Sequence, residues 1–279
     1  MNKSSLFKAA TAAVIVLIVL VPSTVLADND KDEILATAKM VREKGLATID
    51  LNHYTGILLM QGMAELAIAS GDENDMKIAR ETLLPYATGE STMGGNFVAY
   101  RCGGNGAALL LLNGNLPEGH DRIMDAARVT STQCLRSDDG IILSKSCLKS
   151  KNVFIDTAFA VTPFMLWAGL AAEPDDSEST EAFRRKCIDD AWNQTFQLHK
   201  ILQDPNTGLY HQGRGFQGRG VVSTDHWSRG NGWAAMAWAA LIRSLPQDDP
   251  RRAEAEKLFR QFMKAVVKYQ GDDGMWHQE

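Results

Sequence analysis

The eight residues from His226 to Trp233, HWSRGNGW, bring two indoles, a guanidinium, an amide and two glycines close together. Indole faces suit sugar rings, and the forked donors of Arg229 suit a carboxylate. A helix predicted over Ala234–Leu245 follows at once, and a helix N-terminus offers unpaired N–H groups to an anion. The two glycines of the segment let the backbone approach a bound molecule closely. The segment therefore predicts a binding site for an acidic sugar.

Two aspartates are candidates for a carboxylate near this site. Asp156 follows Val153-Phe-Ile at the predicted start of a helix, where Asp is a favoured N-cap. Its apolar neighbours equally predict a desolvated carboxyl group whose pKa rises towards that of a general acid. Both roles fit an enzyme that gathers helix N-termini around one pocket. Asp225 is either a second carboxylate or the salt-bridge partner of Arg229, and the salt bridge is the favoured role.

The loop that precedes the segment contributes further candidates. His211 ends the sequence NTGLYH and either orients a substrate or is simply solvated. The segment from Gly213 to Arg229 contains three arginines and one aspartate, and its local charge of +2 would attract anions. The glycines of this stretch predict a mobile lid. Tyr54, at the start of an earlier helix, is a candidate for lining the pocket, with a structural role for His53-Tyr54 as the alternative.

The rest of the sequence predicts an all-α protein. Apolar residues recur at helical spacing over Lys31–Lys44, Gly56–Ser70, Asn74–Pro85, Gly106–Leu112, His120–Leu135, Ala158–Ala171, Glu178–Leu202, Ala234–Leu245 and Arg251–Tyr269. A turn containing Gly140, Gly208 or Gly274 repeats at nearly constant spacing along the chain. A fixed period in a helical chain indicates stacked or radially arranged hairpins. Apolar helices would lie inside, and charged ones such as Glu178–Leu202 outside.

The N-terminus predicts export. Lys3 and Lys8 precede an apolar run, and Val25-Leu-Ala27 ends it, so residues 1–27 are expected to be a signal peptide cleaved after Ala27. The run is too short for a comfortable membrane span, and no stable membrane anchor is predicted. Removing it takes two positive charges from a net charge of −5 and leaves −7. Such an acidic chain is a poor partner for nucleic acid.

If the protein is exported, its four cysteines lie in an oxidising compartment, where disulfides are permitted. Cys102, Cys134, Cys147 and Cys187 show no zinc-binding spacing, and three complete pairings stay open. The oligomeric state also stays open. We expect one large domain over residues 28–279, a length that suffices for a single core.

The motif WSRGNGW at 227–233, with Thr207-Gly-Leu-Tyr-His211 and Phe154-Ile-Asp156 before it, resembles the unsaturated glucuronyl and rhamnogalacturonyl hydrolases of glycoside hydrolase families 88 and 105. The resemblance runs from about residue 50 to residue 279. It implies an (α/α)6 barrel, in agreement with the repeated hairpins. Counting inner helices that begin near Gly56, Gly106, Asp156 and Gly230, a closed ring needs about two more. We therefore expect a barrel that is incomplete at its C-terminus, either a fragment or an open ring.

The resemblance also implies a reaction. Asp156 would protonate C4 of a 4,5-unsaturated uronic acid at the non-reducing end of a lyase-generated oligosaccharide, and water would add at C5. His211 and Arg229 would bind the uronate, with Trp227 and Trp233 shaping the pocket, and no metal or organic cofactor is implied. The alternatives are an inverting glycosidase that uses Asp156 and Asp225 on saturated sugars, and a non-catalytic remnant.

One position departs from the family pattern. Members usually carry a second pocket carboxylate near the start of an earlier inner helix, whereas residues 91–117 contain no Asp or Glu. Arg101 or Asn105 is expected to line the pocket there, which would suit a different or a sulfated substrate.

Overall fold

The computed structural model describes residues 28–172 and 178–278, and the predicted signal peptide lies outside them. All nine predicted helices are present in this part of the chain. They are α1 Asp28–Thr48, α2 Tyr54–Ser70, α3 Glu73–Thr88, α4 Gly104–Leu112, α5 His120–Thr132, α6 Asp156–Ala171, α7 Glu178–Leu202, α8 Ser228–Ser244 and α9 Arg251–Val267. The prediction for α8 is wrong at its start, since the helix begins six residues before Ala234.

The helices alternate between an inner and an outer layer, which confirms the all-α class and the hairpin architecture. Inner helices α2, α4, α6 and α8 pack against one another in that order. Every residue of α6 from Thr157 to Gly169 is buried, as expected for a helix surrounded by other helices. The outer helices bury one face only, and in α5 that face includes Ile123 and Ala127. Because inner and outer helices run in opposite directions, the N-termini of all four inner helices share one end of the molecule.

Polar contacts fix the spacing of the inner helices. Glu65 of α2 forms a two-pronged ion pair with Arg243 of α8, with Oε1 and Nη2 2.8 Å apart. Such paired, charge-assisted hydrogen bonds have a specific geometry. They join the first inner helix to the fourth.

Among the described helices, none has the length and apolar composition needed to cross a membrane.

The repeated glycine turns have one backbone geometry. Gly140, Gly208 and Gly274 have φ values of 81°, 78° and 75°, which only glycine adopts without strain. In each turn an amide bonds a carbonyl four or five residues ahead: Ser137 to Ile141, Asp204 to Leu209, and Gly271 to Met275, all at 2.8 Å. The sequence repeat is therefore a structural repeat, as predicted.

A short sheet joins two loops, and no pattern in the sequence predicts it. Strand β1, Val153–Phe154, pairs antiparallel with β2, Gly213–Arg214. The amide of Ile155 extends the ladder by donating to the Gln212 carbonyl at 3.0 Å. Because β1 runs into Asp156 and β2 begins just after His211, this ribbon brings the two candidate residues to the same end of the molecule.

The four cysteines, all in the described part, are free thiols. Cys102 and Cys187 are buried, and desolvation raises the pKa of each to about 12. A thiol with so high a pKa is a poor nucleophile at neutral pH.

Candidate functional site

Side chains from several inner helices meet at the end of the molecule where these helices begin. Asp156 is the first residue of α6, and Tyr54 is the first residue of α2. The segment HWSRGNGW forms the first turns of α8 rather than a loop before it. No side chain caps the N-terminus of α8, so its first N–H groups stay available to an anion.

Asp156 has the properties of a carboxylic acid that holds its proton near neutral pH. Its Oδ2 atom is enclosed and has no hydrogen-bond partner. Desolvation raises its pKa from 3.8 to about 6, and this outweighs the backbone amide, Arg229 and the Trp233 indole N–H, which all favour the charged form. Trp233 Nε1 is also buried without a partner, so its approach to the carboxylate falls short of a full hydrogen bond. The arrangement favours a general acid.

Aromatic rings form the wall beside Asp156. Trp233 is buried and stacks on Phe159, with ring centroids 4.5 Å apart. Tyr54 meets the same indole edge-on at 6.5 Å and is 38% exposed, so its ring borders both the wall and solvent. Both predicted residues, Tyr54 and Trp233, therefore lie at one site. A wall of this kind suits the apolar face of a sugar.

Arg229 is exposed, and its guanidinium stacks on Trp227. The central carbon lies 3.9 Å from the ring centroid, a cation–π contact that orients the fork of donors. The predicted salt bridge to Asp225 is wrong, because no carboxylate in the described part lies within 4.0 Å of Arg229. The indole of Trp227, rather than the carboxylate of Asp225, orients the Arg229 side chain. The donors of Arg229 are therefore free for an external anion.

His211 is half-buried beside a second histidine. Its ring lies 4.5 Å from that of His226, with the planes inclined by 30°. Its Nδ1 atom is enclosed and has no hydrogen-bond partner. The amide of His211 donates to the Leu202 carbonyl at 2.9 Å, which ties the loop to the end of α7. The histidine is thus held in place by its backbone while its side chain keeps bonding capacity.

Asn231 organises this site, a role that was not predicted from the sequence. Its Oδ1 accepts from the Tyr210 amide at 2.8 Å, and its Nδ2 donates to the Tyr210 and Trp227 carbonyls at 3.0 and 3.1 Å. One buried amide therefore joins the His211 loop to the start of α8. The signal was its place between two glycines. A Cβ on Gly230 would come within 2.7 Å of Ile155, so this glycine lets α8 pack against the residue before Asp156.

The prediction that Asn105 lines the pocket is wrong. Asn105 has no exposed surface. Its Nδ2 donates to Gln61 of α2 and to the Phe159 carbonyl of α6, both at 2.9 Å. It therefore bridges three inner helices. Arg101, four residues earlier in the chain, is exposed.

Tyr100 lies in the short helical turn Val98–Cys102, just before α4, and its phenol is close enough to Asp156 to be affected by its charge. It lines the site where Asn105 was expected to do so. It is buried, and burial together with the Asp156 charge raises the pKa of its phenol. Its hydroxyl has no hydrogen-bond partner among the described residues and is not fully enclosed. A phenol so placed can donate a hydrogen bond to a bound sugar.

The glycine-rich stretch after His211 is a tight hairpin. Gly215, Gly218 and Gly220 all have positive φ. Arg214 pairs with Asp139, and Phe216 meets Phe154 edge-on at 6.0 Å. The stretch is thus fastened at its base, and its rim carries the exposed Arg219. Whether it moves as a lid stays a prediction.

A separate open concavity of about 600 Å³ lies at the opposite end, beyond the C-terminus of α2. Of its charged side chains, Lys77 pairs with Glu81 at 3.8 Å, and Arg80 pairs with Glu118, outside the lining, at 2.9 Å. It holds no buried polar atom without a partner. Of six such atoms among the described residues, three belong to Asp156, Trp233 and His211, and these three support the other end as the candidate site.

Comparison with known proteins identifies the family of this chain. The family model of Glycosyl Hydrolase Family 88 matches residues 31–279. An unsaturated rhamnogalacturonyl hydrolase of Bacillus subtilis, YesR, is 27% identical over 127 residues, which are 46% of this chain and 34% of that protein. An unsaturated 3S-rhamnoglycuronyl hydrolase of Formosa agariphila is 38% identical over 50 residues, 18% of this chain and 13% of that protein. The matches thus span about a third of the first relative and about an eighth of the second.

Solved structures extend the likeness in fold. A possible member of family 105 from Salmonella enterica serovar Paratyphi A superposes with a TM-score of 0.68 at 17% identity. The superposition covers 92% of this chain and 71% of that one. Such neighbours are barrels of helical hairpins, and the described helices adopt the same fold. Since the family model covers nearly the whole sequence, this chain belongs to glycosyl hydrolase family 88.

Proposed function

We propose that this protein is a hydrolase that removes a 4,5-unsaturated uronic acid from the non-reducing end of oligosaccharides left by polysaccharide lyases. The observation that carries the proposal is Asp156, a desolvated carboxyl group with a pKa of about 6 beside an aromatic wall and an unpaired arginine. The names of the two curated relatives, both unsaturated uronyl hydrolases, support it. We also propose export to the periplasm or medium, as residues 1–27 predict.

The proposed reaction hydrates the double bond. Protonated Asp156 gives its proton to C4, and positive charge develops at C5 and the ring oxygen. Water attacks C5, and the Asp156 carboxylate takes up the proton that this water loses. The resulting hemiketal opens to a ketone at C5 and a hemiacetal at C1. The hemiacetal then collapses to an aldehyde and releases the remaining sugar as an alcohol. One water is consumed, and Asp156 ends protonated as it began.

The other side chains bind and orient the substrate in this proposal. Arg229 and the free N–H groups at the start of α8 hold the uronate carboxylate. His211 binds the same uronate, while Trp233 and Tyr54 contact the face of the ring. Trp227 acts by holding the Arg229 guanidinium. Tyr100 donates to a sugar hydroxyl, and Asn231 positions the loop that carries His211.

The proposal is tested with two matched disaccharides, one with an unsaturated uronic acid at the non-reducing end and one with its saturated counterpart. We expect the ultraviolet absorbance of the double bond to disappear with the first and no sugar to be released from the second. Release from the saturated sugar would instead support an inverting glycosidase that uses Asp156 and Asp225. A folded chain that changes neither disaccharide, across pectic, glycosaminoglycan-like and sulfated algal series, would support a non-catalytic remnant.

A further inference from the structure

Three side chains beside the proposed pocket converge on one point in a way that the hydration reaction does not require. Asp204 follows α7, His211 follows the Gly208 turn, and His226 precedes α8. One potential ligand atom from each lies within 4.8 Å of the other two. His226 Nε2 and Asp204 Oδ2 are 3.1 Å apart. Two imidazoles and a carboxylate form a ligand set typical of zinc sites that keep an open position.

The distances fit a small cation with modest adjustment. Bonds of about 2.0–2.1 Å in a tetrahedral zinc site place the ligand atoms roughly 3.3–3.4 Å apart. The His226–Asp204 separation already lies within a few tenths of an ångström of that value. The three ligand atoms lie within 4.8 Å of one another, so the His211 atom must approach by at most about 1.5 Å to reach zinc geometry. His211 lies on a loop rather than inside a helix. The rings of His211 and His226 are only 4.5 Å apart, so both can reach one ion.

An unpaired atom supplies an independent indication. His211 Nδ1 is enclosed by protein and has no hydrogen-bond partner. A buried nitrogen without a partner costs about 1–3 kcal/mol. Such a site therefore favours a ligand that occupies it. His226 Nε2 contacts Asp204 Oδ2 at 3.1 Å and Thr207 Oγ1 at 3.4 Å, and an ion bound between His226 and Asp204 would replace the first of these contacts.

Surrounding groups hold the carboxylate as a preformed ligand. Asp204 Oδ1 accepts from the backbone and side-chain amides of Asn206, at 2.9 and 3.1 Å. Oδ2 accepts from the Thr207 hydroxyl at 3.0 Å and faces His226. Hydrogen bonds of this kind orient metal ligands and raise affinity. Asn231 fixes the backbone that carries the two histidines. Its side chain donates to the carbonyl of Tyr210, which precedes His211, and to the carbonyl of His226 itself.

We propose that Asp204, His211 and His226 bind a divalent transition-metal ion with the ligand preference of Zn²⁺. Three protein ligands leave a fourth position for water or for a carboxylate oxygen of an acidic sugar. The ion would add a second positive charge to the site, beside that of Arg229. Binding is measured without substrate, so this proposal and the proposed hydrolase activity can fail independently.

The test titrates the metal-free full chain with Zn²⁺ and, separately, with Co²⁺. We expect one ion per chain and a Co²⁺ visible spectrum of tetrahedral type. Asp204→Asn and His226→Gln should each weaken binding at least about 10–100-fold, the range seen when supporting groups of metal ligands are removed. The matched control is His277→Gln, which removes an exposed histidine 3.3 Å from Asp273 that has no third ligand. It should bind like the parent chain.

Proton NMR of the parent chain keeps the test decisive if the variants fold poorly. Of the six histidines, only His211 and His226 should shift with the first equivalent of Zn²⁺. The proposal is overturned by uptake below one ion per chain, by equal loss in His277→Gln, or by shifts spread over other histidines. In that case His226 and Asp204 serve only as a hydrogen-bonded pair that positions His211.

Discussion

Asp156→Asn is expected to lower kcat on an unsaturated disaccharide by roughly 10²–10⁴-fold, the usual contribution of general acid–base catalysis. The amide keeps the shape of the side chain but has no proton to give to C4. Binding should change little, because Arg229 and the aromatic wall are untouched. The measurement is steady-state kinetics by loss of the double-bond absorbance. If turnover survived at a tenth of the parent rate or more, Asp156 would not be the acid.

The pH profile of the parent chain is the companion result for Asp156. Burial raises its pKa to about 6, so the acid form predominates below that pH and disappears above it. We therefore expect kcat/KM to fall as the pH rises through about 6, by up to tenfold per unit. The residual activity of Asp156→Asn should lack this limb. An unchanged limb in the variant would assign it to another group.

Stability supplies the control for Asp156→Asn. Because the folded pKa is raised, the charged form disfavours folding above about pH 6, and this cost vanishes below the unfolded value of 3.8. The variant should therefore unfold in urea no more easily than the parent chain at pH 7. A gain of about 1–3 kcal/mol is expected there, from about 1.4 kcal/mol per unit of pKa, and none at pH 3. A marked loss of stability would mean that inactivity reflects unfolding.

Arg229→Ala is expected to have the second largest effect, a fall in kcat/KM of roughly 30- to 5000-fold. This range corresponds to the loss of about 2–5 kcal/mol when one partner of a buried, hydrogen-bonded charge pair, as formed with bound substrate, is removed. Most of the change should lie in KM, since the carboxylate is bound in both the ground and transition states. Arg229→Lys should recover only part of it, because an ammonium lacks the forked donors and the stacking of a guanidinium.

Arg219→Ala is the matched control for Arg229→Ala. Arg219 is also exposed and lies in the same basic stretch, but on the rim of the glycine-rich hairpin. Its loss should reduce the long-range attraction of an anion, so the effect should be a few-fold and vanish at high salt. Equal effects of the two variants would show that general positive charge, rather than the Arg229 fork over Trp227, binds the substrate.

The elements of the fold could largely be predicted from the sequence because their signals are local. Apolar spacing identified all nine described helices, and the repeated glycines identified turns that share one backbone geometry. The start of α8 was missed because Gly230 and Gly232 read as a loop. Gly230 is needed instead for close packing against Ile155. The ribbon of β1 and β2 was missed because strands of two residues carry no periodic pattern.

The candidate site was harder to predict because it depends on contacts between distant segments. Asp156 could be found from its apolar neighbours, and Trp233 and Arg229 from their motif. Nothing local shows that Trp227 rather than Asp225 orients Arg229. The burial of Asn105 between three helices likewise follows from packing.

The most direct test of the central claim is the fate of the transferred proton. The unsaturated disaccharide is turned over in D₂O, and the released open-chain acid is analysed by NMR and mass spectrometry. Hydration with Asp156 as the acid predicts that loss of the double bond keeps pace with sugar release and that the earliest product carries one deuterium on a single face of C4. Displacement at the anomeric carbon releases the unsaturated acid itself, so sugar release ahead of double-bond loss, with deuterium later entering both faces of C4, would contradict the account.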